Sequence, residues 1–227
     1  MAIITPPLQF PVTINPKLVS KKAYHLYPPL GQLYICSAIE ESTDWGVDLY
    51  DLHFTMLKNA ANNKDYSLKA LIKMIPLEYD AYLVGCMFST SQKIYNTVGR
   101  LLNERNKPRV FGGVYATGFS DDLLNKGVTD IVIKHEGENQ IVNLLKFWEG
   151  NELAIRNTSF RYNGSVINFP KLFEKIDPPN VVPQLKRIKE DLKEYNLFGT
   201  FGHVTTAIPG DRLSASIIGN RGCRAAC

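Results

Sequence analysis

The run from Ala81 to Met87 leaves this chain few folds to choose from. It is nearly all apolar and is bounded by Asp80 and Ser89. A strand with one wet face alternates polar and apolar residues. A strand apolar on both faces must be covered on both, as in the middle of a parallel sheet. Parallel neighbours need a crossover connection, usually a helix. The chain supplies both pieces in alternation. Strand-like runs fall at Ala2 to Ile4, Val47 to Leu52, Ala81 to Met87, Arg109 to Gly113 and Thr129 to Ile133. Helical patterns separate them: Leu30 to Glu41 after Pro29, one or two helices across 54–79, Ser91 to Glu104, a short segment Asp121 to Asn125, and Asn139 to Trp148. The pattern predicts an α/β domain, a doubly wound five-stranded parallel sheet with helices on both faces.

The 227 residues, 44% of them hydrophobic, allow one core of roughly 150 residues and something smaller. We expect the α/β domain over 1–150, with a flavodoxin-like strand order. A hairpin and linker region follows over 151–210, and the start of a further domain over 211–227. Ser159 to Tyr162 and Ser165 to Asn168 flank Asn163-Gly164, a strong hairpin signal. A proline-rich loop precedes a charged helix from about Pro183 to Tyr195, and residues 198–210 read as a linker. Leu213 to Ile218 begins a new alternating strand, and residues 8–27 read as irregular. The net charge of +4 is scattered, which does not call for nucleic acid. No apolar run approaches the ~20 residues of a membrane span. The start Met-Ala-Ile-Ile-Thr-Pro-Pro lacks a signal-peptide pattern, so a cytoplasmic location is expected.

Three predicted loops converge on the carboxyl edge of the sheet: Phe88-Ser89-Thr90-Ser91, Gly112 to Thr117, and His135 to Glu138. Open α/β sheets bind ligands at that edge. The Gly112-Gly113 pair offers bare backbone, and helix N-termini with nearby hydroxyls suit an extended ligand bearing amides and a phosphate. Ser89, Ser91, Thr117 and Ser120 read equally well as helix N-caps. Glu136 and Glu138 fit an acid/base pair, or better a complement to the dipole of the next helix. His53 reads as a packed or exposed histidine rather than a metal ligand. Cys36 and Cys86 sit in apolar patterns as small buried hydrophobes. Cys223 and Cys227, four apart beside arginines, point to metal or redox chemistry, but two thiolates do not complete a metal site.

Six stretches carry a resemblance across almost the whole chain. They are the turn Thr5-Pro6-Pro7, the helix start Tyr27-Pro28-Pro29-Leu30-Gly31-Gln32-Leu33-Tyr34, and Gly85-Cys86-Met87-Phe88-Ser89-Thr90. Then come Gly112-Gly113-Val114-Tyr115-Ala116-Thr117, His135-Glu136-Gly137-Glu138, and Arg221-Gly222-Cys223-Arg224-Ala225-Ala226-Cys227. In this order they resemble the N-terminal part of cobalamin-dependent radical S-adenosylmethionine enzymes. The fourth is similar to a Gly-Gly-x-His-Ala-Thr motif with tyrosine for histidine. The fifth is similar to Gly-Glu-Gly-Glu with histidine for the first glycine. The last looks like the opening of a Cys-x-x-x-Cys-x-x-Cys cluster motif.

The resemblance implies a Rossmann-like domain that holds cobalamin. The expected contacts are Pro6, Pro7, Leu30, Gly31, Phe88, Ser89, Thr90, Ser91, Gly112, Gly113, Val114, Tyr115, Ala116, Thr117, Glu136, Gly137 and Glu138, with the nucleotide tail along the Ser89–Ser91 and Gly112–Thr117 loops. Cys223 and Cys227 would be metal ligands of a 4Fe-4S cluster. In such enzymes the cluster reduces S-adenosylmethionine to a radical that abstracts a substrate hydrogen, and methylcobalamin commonly delivers a methyl group. The third cluster cysteine would fall beyond residue 227, which implies a chain inert as a radical enzyme unless another polypeptide supplies the barrel. Asp51-x-His53 resembles part of a motif that ligates cobalt through histidine, but Met56 stands at its glycine position, so no His53–cobalt bond is expected. The competing reading is a non-catalytic flavodoxin-like binding or regulatory module. A methylthiotransferase would need three cysteines in the first domain, where only Cys36 and Cys86 occur.

Overall fold

The computed structural model describes residues 1–8, 14–21, 23–24, 26–151, 155–169, 182–188 and 191–198. Its centre is a sheet of β1 (Ala2–Thr5), β2 (Asp48–Asp51), β3 (Tyr82–Gly85), β4 (Arg109–Gly112), β5 (Ile131–Ile133), β6 (Thr158–Tyr162) and β7 (Ser165–Asn168). The order is β2-β1-β3-β4-β5-β6-β7. The first five strands are parallel, in the flavodoxin-like order, and β3 lies at the middle of those five. The predicted hairpin joins this sheet. It adds two antiparallel strands to β5, making seven. The outer edge of β5 would otherwise present unpaired backbone groups, and β6 satisfies them. Asn163 and Gly164 both take positive φ, 47° and 81°, as a two-residue hairpin turn of this hand requires.

Alternate strand residues face opposite helical layers. Ile3, Leu83, Val110 and Ile133 pack beneath α2 (Leu30–Ser42) and α8 (Glu138–Trp148). Ile4, Tyr82, Val84, Phe111 and Val132 pack beneath α3 (Leu52–Ala61), α4 (Leu68–Lys73), α5 (Gln92–Asn103), α6 (Val114–Gly118) and α7 (Ser120–Asn125). The reversal of direction between the β1 and β3 crossovers makes a crevice at their carboxyl ends. The region read as irregular contains one more helix, α1 (Pro16–Ser20). Asn15 caps it by accepting from the Lys17 N–H, and Pro16 takes the first helical position.

Arg109 is a charge inside the strand layer, only 4% exposed. Its guanidinium meets Asp130 through two nitrogens, at 3.0 and 2.7 Å, and donates to the carbonyls of Gly99, Gly127 and Val128. A buried cation persists only when paired and hydrogen-bonded in this way. The predicted 183–195 helix is two pieces, a 3-10 turn at Leu185–Ile188 and α9 (Leu192–Phe198). Ile188 and Leu192 bury against Leu33 of α2. Ser37 Oγ donates to Val182 O at 2.6 Å, and Arg187 donates to Val47 O at 2.9 Å while pairing with Glu40. The segment therefore runs across α2 and the free edge of β2. Phe198, read as the first linker residue, is instead the last of α9, while residues 170–181 of the proline-rich loop, 199–210 of the linker, the Leu213–Ile218 run and both Cys223 and Cys227 lie outside the described residues.

Candidate functional site

The carboxyl ends of β1, β3, β4 and β5 form one rim. After β1, Pro6 and Pro7 are buried, and the Leu8 carbonyl accepts from Ser91 Oγ. That bond ties the first loop to the loop after β3. Ser91 is therefore not a side-chain cap of α5; its hydroxyl is spent across the crevice. After β3, the Tyr95 hydroxyl accepts from the N–H groups of Met87 and Phe88 at 2.9 and 3.0 Å. This turns the Met87 and Phe88 side chains outward, 59% and 43% exposed. Ser89 and Thr90 are exposed beside them.

The glycine pair after β4 does two different jobs. Gly113 sits at φ 102°, ψ −179°, where side chains are not tolerated, and a Cβ there would lie 2.5 Å from Cys86 O. The same carbonyl accepts from the Tyr115 N–H at 3.1 Å. The Gly113 backbone is thus packed on its own protein rather than held bare for a ligand. This corrects the sequence reading, as does the helix α6, which starts at once on Gly113 where a loop was expected. Gly112 is ordinary strand, and a Cβ there would meet nothing closer than 3.6 Å. Val114 is exposed, Tyr115 and Ala116 are buried, and Tyr115 stacks on Phe119 with centroids 4.7 Å apart. Thr117 is no N-cap either. Its hydroxyl donates to Gly113 O at 3.0 Å and accepts from the His135 N–H at 2.9 Å, joining the loops after β4 and β5. Ser120, inside α7, bonds Asp121. In the β5 loop, Glu136 and Gly137 are half-buried, and Glu138 is buried in the first turn of α8.

On the face shared by α2 and α8, Gly85 and Gly112 are register partners on adjacent strands. No side chain rises from the sheet at either position. Thr5 and Gln140 belong to the same face, and their buried Oγ1 and Oε1 lack a hydrogen-bond partner among the described residues. Gln32 of α2 lies over Gly85; a Cβ there would come within 2.1 Å of its Nε2. Ile35 lies against Gly137. Leu30 and Gly31 open the same helix, half-buried and exposed. Thr5, Gln32 and Gly85 stand in the stretches that carry the resemblance but were not expected as contacts, and Gln140 was not singled out from the sequence. The alternation through Leu83 and Gly85 held the signal, since every second residue of β3 faces α2.

His53 is 5% exposed, and its Nδ1 accepts from the Leu8 N–H at 3.4 Å. Of the two states the sequence left open, packed or exposed, it is packed. Asp51 caps α3, accepting from the His53 and Phe54 N–H groups, and receives the Tyr195 hydroxyl at 2.7 Å. Burial raises the Asp51 carboxyl above its usual range, outweighing those hydrogen bonds. Cys36 and Cys86 are buried; desolvation pushes the Cys36 thiol up to about 11 and Cys86 in the same direction. Among the described residues no group of His, Cys, Asp and Glu could hold a metal, and no helix is long and apolar enough to cross a membrane. At the opposite edge, a cleft of ≈ 540 Å³ is lined by Lys107, Asp130, Trp148, Phe160, Arg161 and Phe169 among others.

No family model matches the chain, and no curated protein matches it in sequence. Among the solved structures similar to the chain are two of the radical S-adenosylmethionine methyltransferase TsrM from Kitasatospora setae. One, with cobalamin and a 4Fe-4S cluster bound, gives a TM-score of 0.56 at 13% identity over 80% of this chain and 30% of that one. The other, with tryptophan substrate and a SAM analog (aza-SAM), gives 0.53 at 14% identity over 83% and 36%. The likeness is one of fold. The chain spans about a third of the length of those structures.

Proposed function

We propose that this chain is the cobalamin-binding portion of a radical S-adenosylmethionine enzyme, of the methyltransferase kind. The observation that carries the reading is the pair of side-chain-free positions, Gly85 and Gly112, on the same side of the sheet as the unsatisfied Thr5 Oγ1 and Gln140 Oε1. Buried polar atoms ordinarily find partners, and here a ligand's amides or ribose hydroxyls would supply them. The rim above exposes apolar side chains at Met87, Phe88 and Val114, beside the hydroxyls of Ser89 and Thr90, which suits the flat face of a macrocycle with polar margins.

In this arrangement the residues divide the work. Met87, Phe88 and Val114 bed the ring, with Ser89, Thr90 and Thr117 at its margin. Gly85 and Gly112 admit the nucleotide tail between the sheet and α2, bordered by Leu30, Gly31, Glu136, Gly137 and Glu138. Pro6, Pro7 and Ser91 shape the crevice from beneath, and Gly113, Tyr115 and Ala116 fix the loop after β4. The Gln32 side chain must swing off Gly85, a movement open to its flexible end. Cobalamin, when bound, supplies alkyl-group chemistry at its cobalt; the protein's own part is to bind, orient and exclude water. Cys223 and Cys227 remain proposed ligands of a 4Fe-4S cluster on the resemblance alone, as does the division into 1–150, 151–210 and 211–227.

The Gln32 amide already resting on Gly85 favours a second reading, a flavodoxin-like module that binds no corrinoid. One experiment separates the two. The chain is mixed with hydroxocobalamin and desalted, and the absorbance of the protein fraction is recorded. Retention of the red chromophore by wild type, and its loss in a folded Gly112→Leu variant, is expected. Equal retention by both would overturn the tail placement, and none by wild type would overturn the function.

A further inference from the structure

A file of hydrogen bonds crosses the rim from α9 to the loop after β3. The Tyr195 hydroxyl donates to Asp51 Oδ2 at 2.7 Å. The other carboxylate oxygen accepts from the His53 and Phe54 N–H groups, each at 3.0 Å. His53 Nδ1 accepts from the Leu8 N–H, and the Leu8 carbonyl accepts from Ser91 Oγ. Leu8 and Ser91 stand on the two sides of the β1/β3 crevice. The far end is firmly seated: Tyr195 is 1% exposed, its ring stacked on Phe54 with centroids 4.3 Å apart and planes 9° apart. Lys58 pairs with Glu194 one residue before it.

We propose that Tyr195 is a positioning residue: seated on Asp51, it holds the loops after β1 and β3 together across the crevice, so that the segment following the sheet presets the ligand rim. Without the phenol, the partly desolvated carboxylate loses its side-chain donor and must recruit water. Water at Asp51 enters beside His53, whose 3.4 Å contact with Leu8 is the longest link and the first to yield. Once Leu8 is free, the Ser91 bond no longer has a fixed acceptor. The consequence for cobalamin rests on the reading above; the coupling between α9 and the rim does not.

Tyr195→Phe tests this, since it keeps the ring stacked on Phe54 and removes only the hydroxyl. Hydrogen exchange is followed on the whole chain without ligand. The Leu8 amide and those of 86–91 are expected to exchange about tenfold faster, the equivalent of one hydrogen bond to a charged group. The amides of Phe111 and Val132 should keep their wild-type rates. In Ser91→Ala, adding Tyr195→Phe should change the 86–91 amides no further, because the two residues act in series. In wild type that retains hydroxocobalamin, the same substitution should weaken its binding about fivefold through this loosened rim. Unchanged exchange at Leu8 and 86–91, or equal acceleration across the whole sheet, would overturn the proposal. A wild-type chain that retains no hydroxocobalamin counts against the corrinoid reading, while the exchange rates still decide the coupling.

Discussion

Gly112→Ala and Gly113→Ala, neighbours in sequence, should differ sharply in stability. At Gly113 the backbone stands at φ 102°, ψ −179°, a conformation costing a side-chain-bearing residue about 1–3 kcal/mol. The added Cβ also lies 2.5 Å from the Cys86 carbonyl oxygen, a backbone atom with no rotamer to turn away. Moving it forfeits the 3.1 Å bond from the Tyr115 N–H, worth about 1 kcal/mol net. The sum is about 2–4 kcal/mol, a large share of the 5–15 kcal/mol typical of a folded domain. At roughly 2–4 °C per kcal/mol for a chain of this size, Gly113→Ala should melt about 4–16 °C lower. Gly112 has no positive φ, and its added Cβ finds only ordinary contact at 3.6 Å. Gly112→Ala should fall within about 1 kcal/mol of wild type, because it also restricts the unfolded chain. Urea and thermal melts by circular dichroism measure both. Equal midpoints for the two variants would refute the assignment of separate roles to the two glycines.

Asp130→Ala should cost about 1.5–3 kcal/mol, since the buried Arg109 guanidinium loses its charged hydrogen-bonding partner but keeps its carbonyl acceptors, and Asp130 itself is 46% exposed. Arg109→Met in the same background should recover part of that in urea melts, which a surface pair would not do. The Cys36 thiol is held at about 11 against an ordinary 9.0, so its contribution is intact below pH 9 and is lost as pH rises towards 11. Stability should fall by up to about 3 kcal/mol across that window, and Cys36→Ala should flatten that part of the curve. Any cobalamin-bound spectrum should be unchanged by His53→Ala. Loss of an imidazole-bound signature would contradict the packed role of that residue.

The parallel sheet was legible because its evidence is local. Ala81 to Met87 is apolar on both faces, and each neighbouring run is followed by a helical period long enough to cross over. Asn163-Gly164 likewise announced its hairpin through the φ values those residues tolerate. The sequence could not say that the hairpin would close the β5 edge, since strand pairing depends on which backbone groups lie unpaired nearby. Nor could it divide the labour of the two glycines. Only the approach of Cys86 O, a residue 27 positions earlier, makes Gly113 obligatory and leaves Gly112 open. The hydroxyls show the same limit. Ser91 and Thr117 are of capping type, and a partner brought close by folding, Leu8 or His135, took each of them instead. Local chemistry fixed which elements form; contacts between distant segments decided what the rim's atoms are free to do.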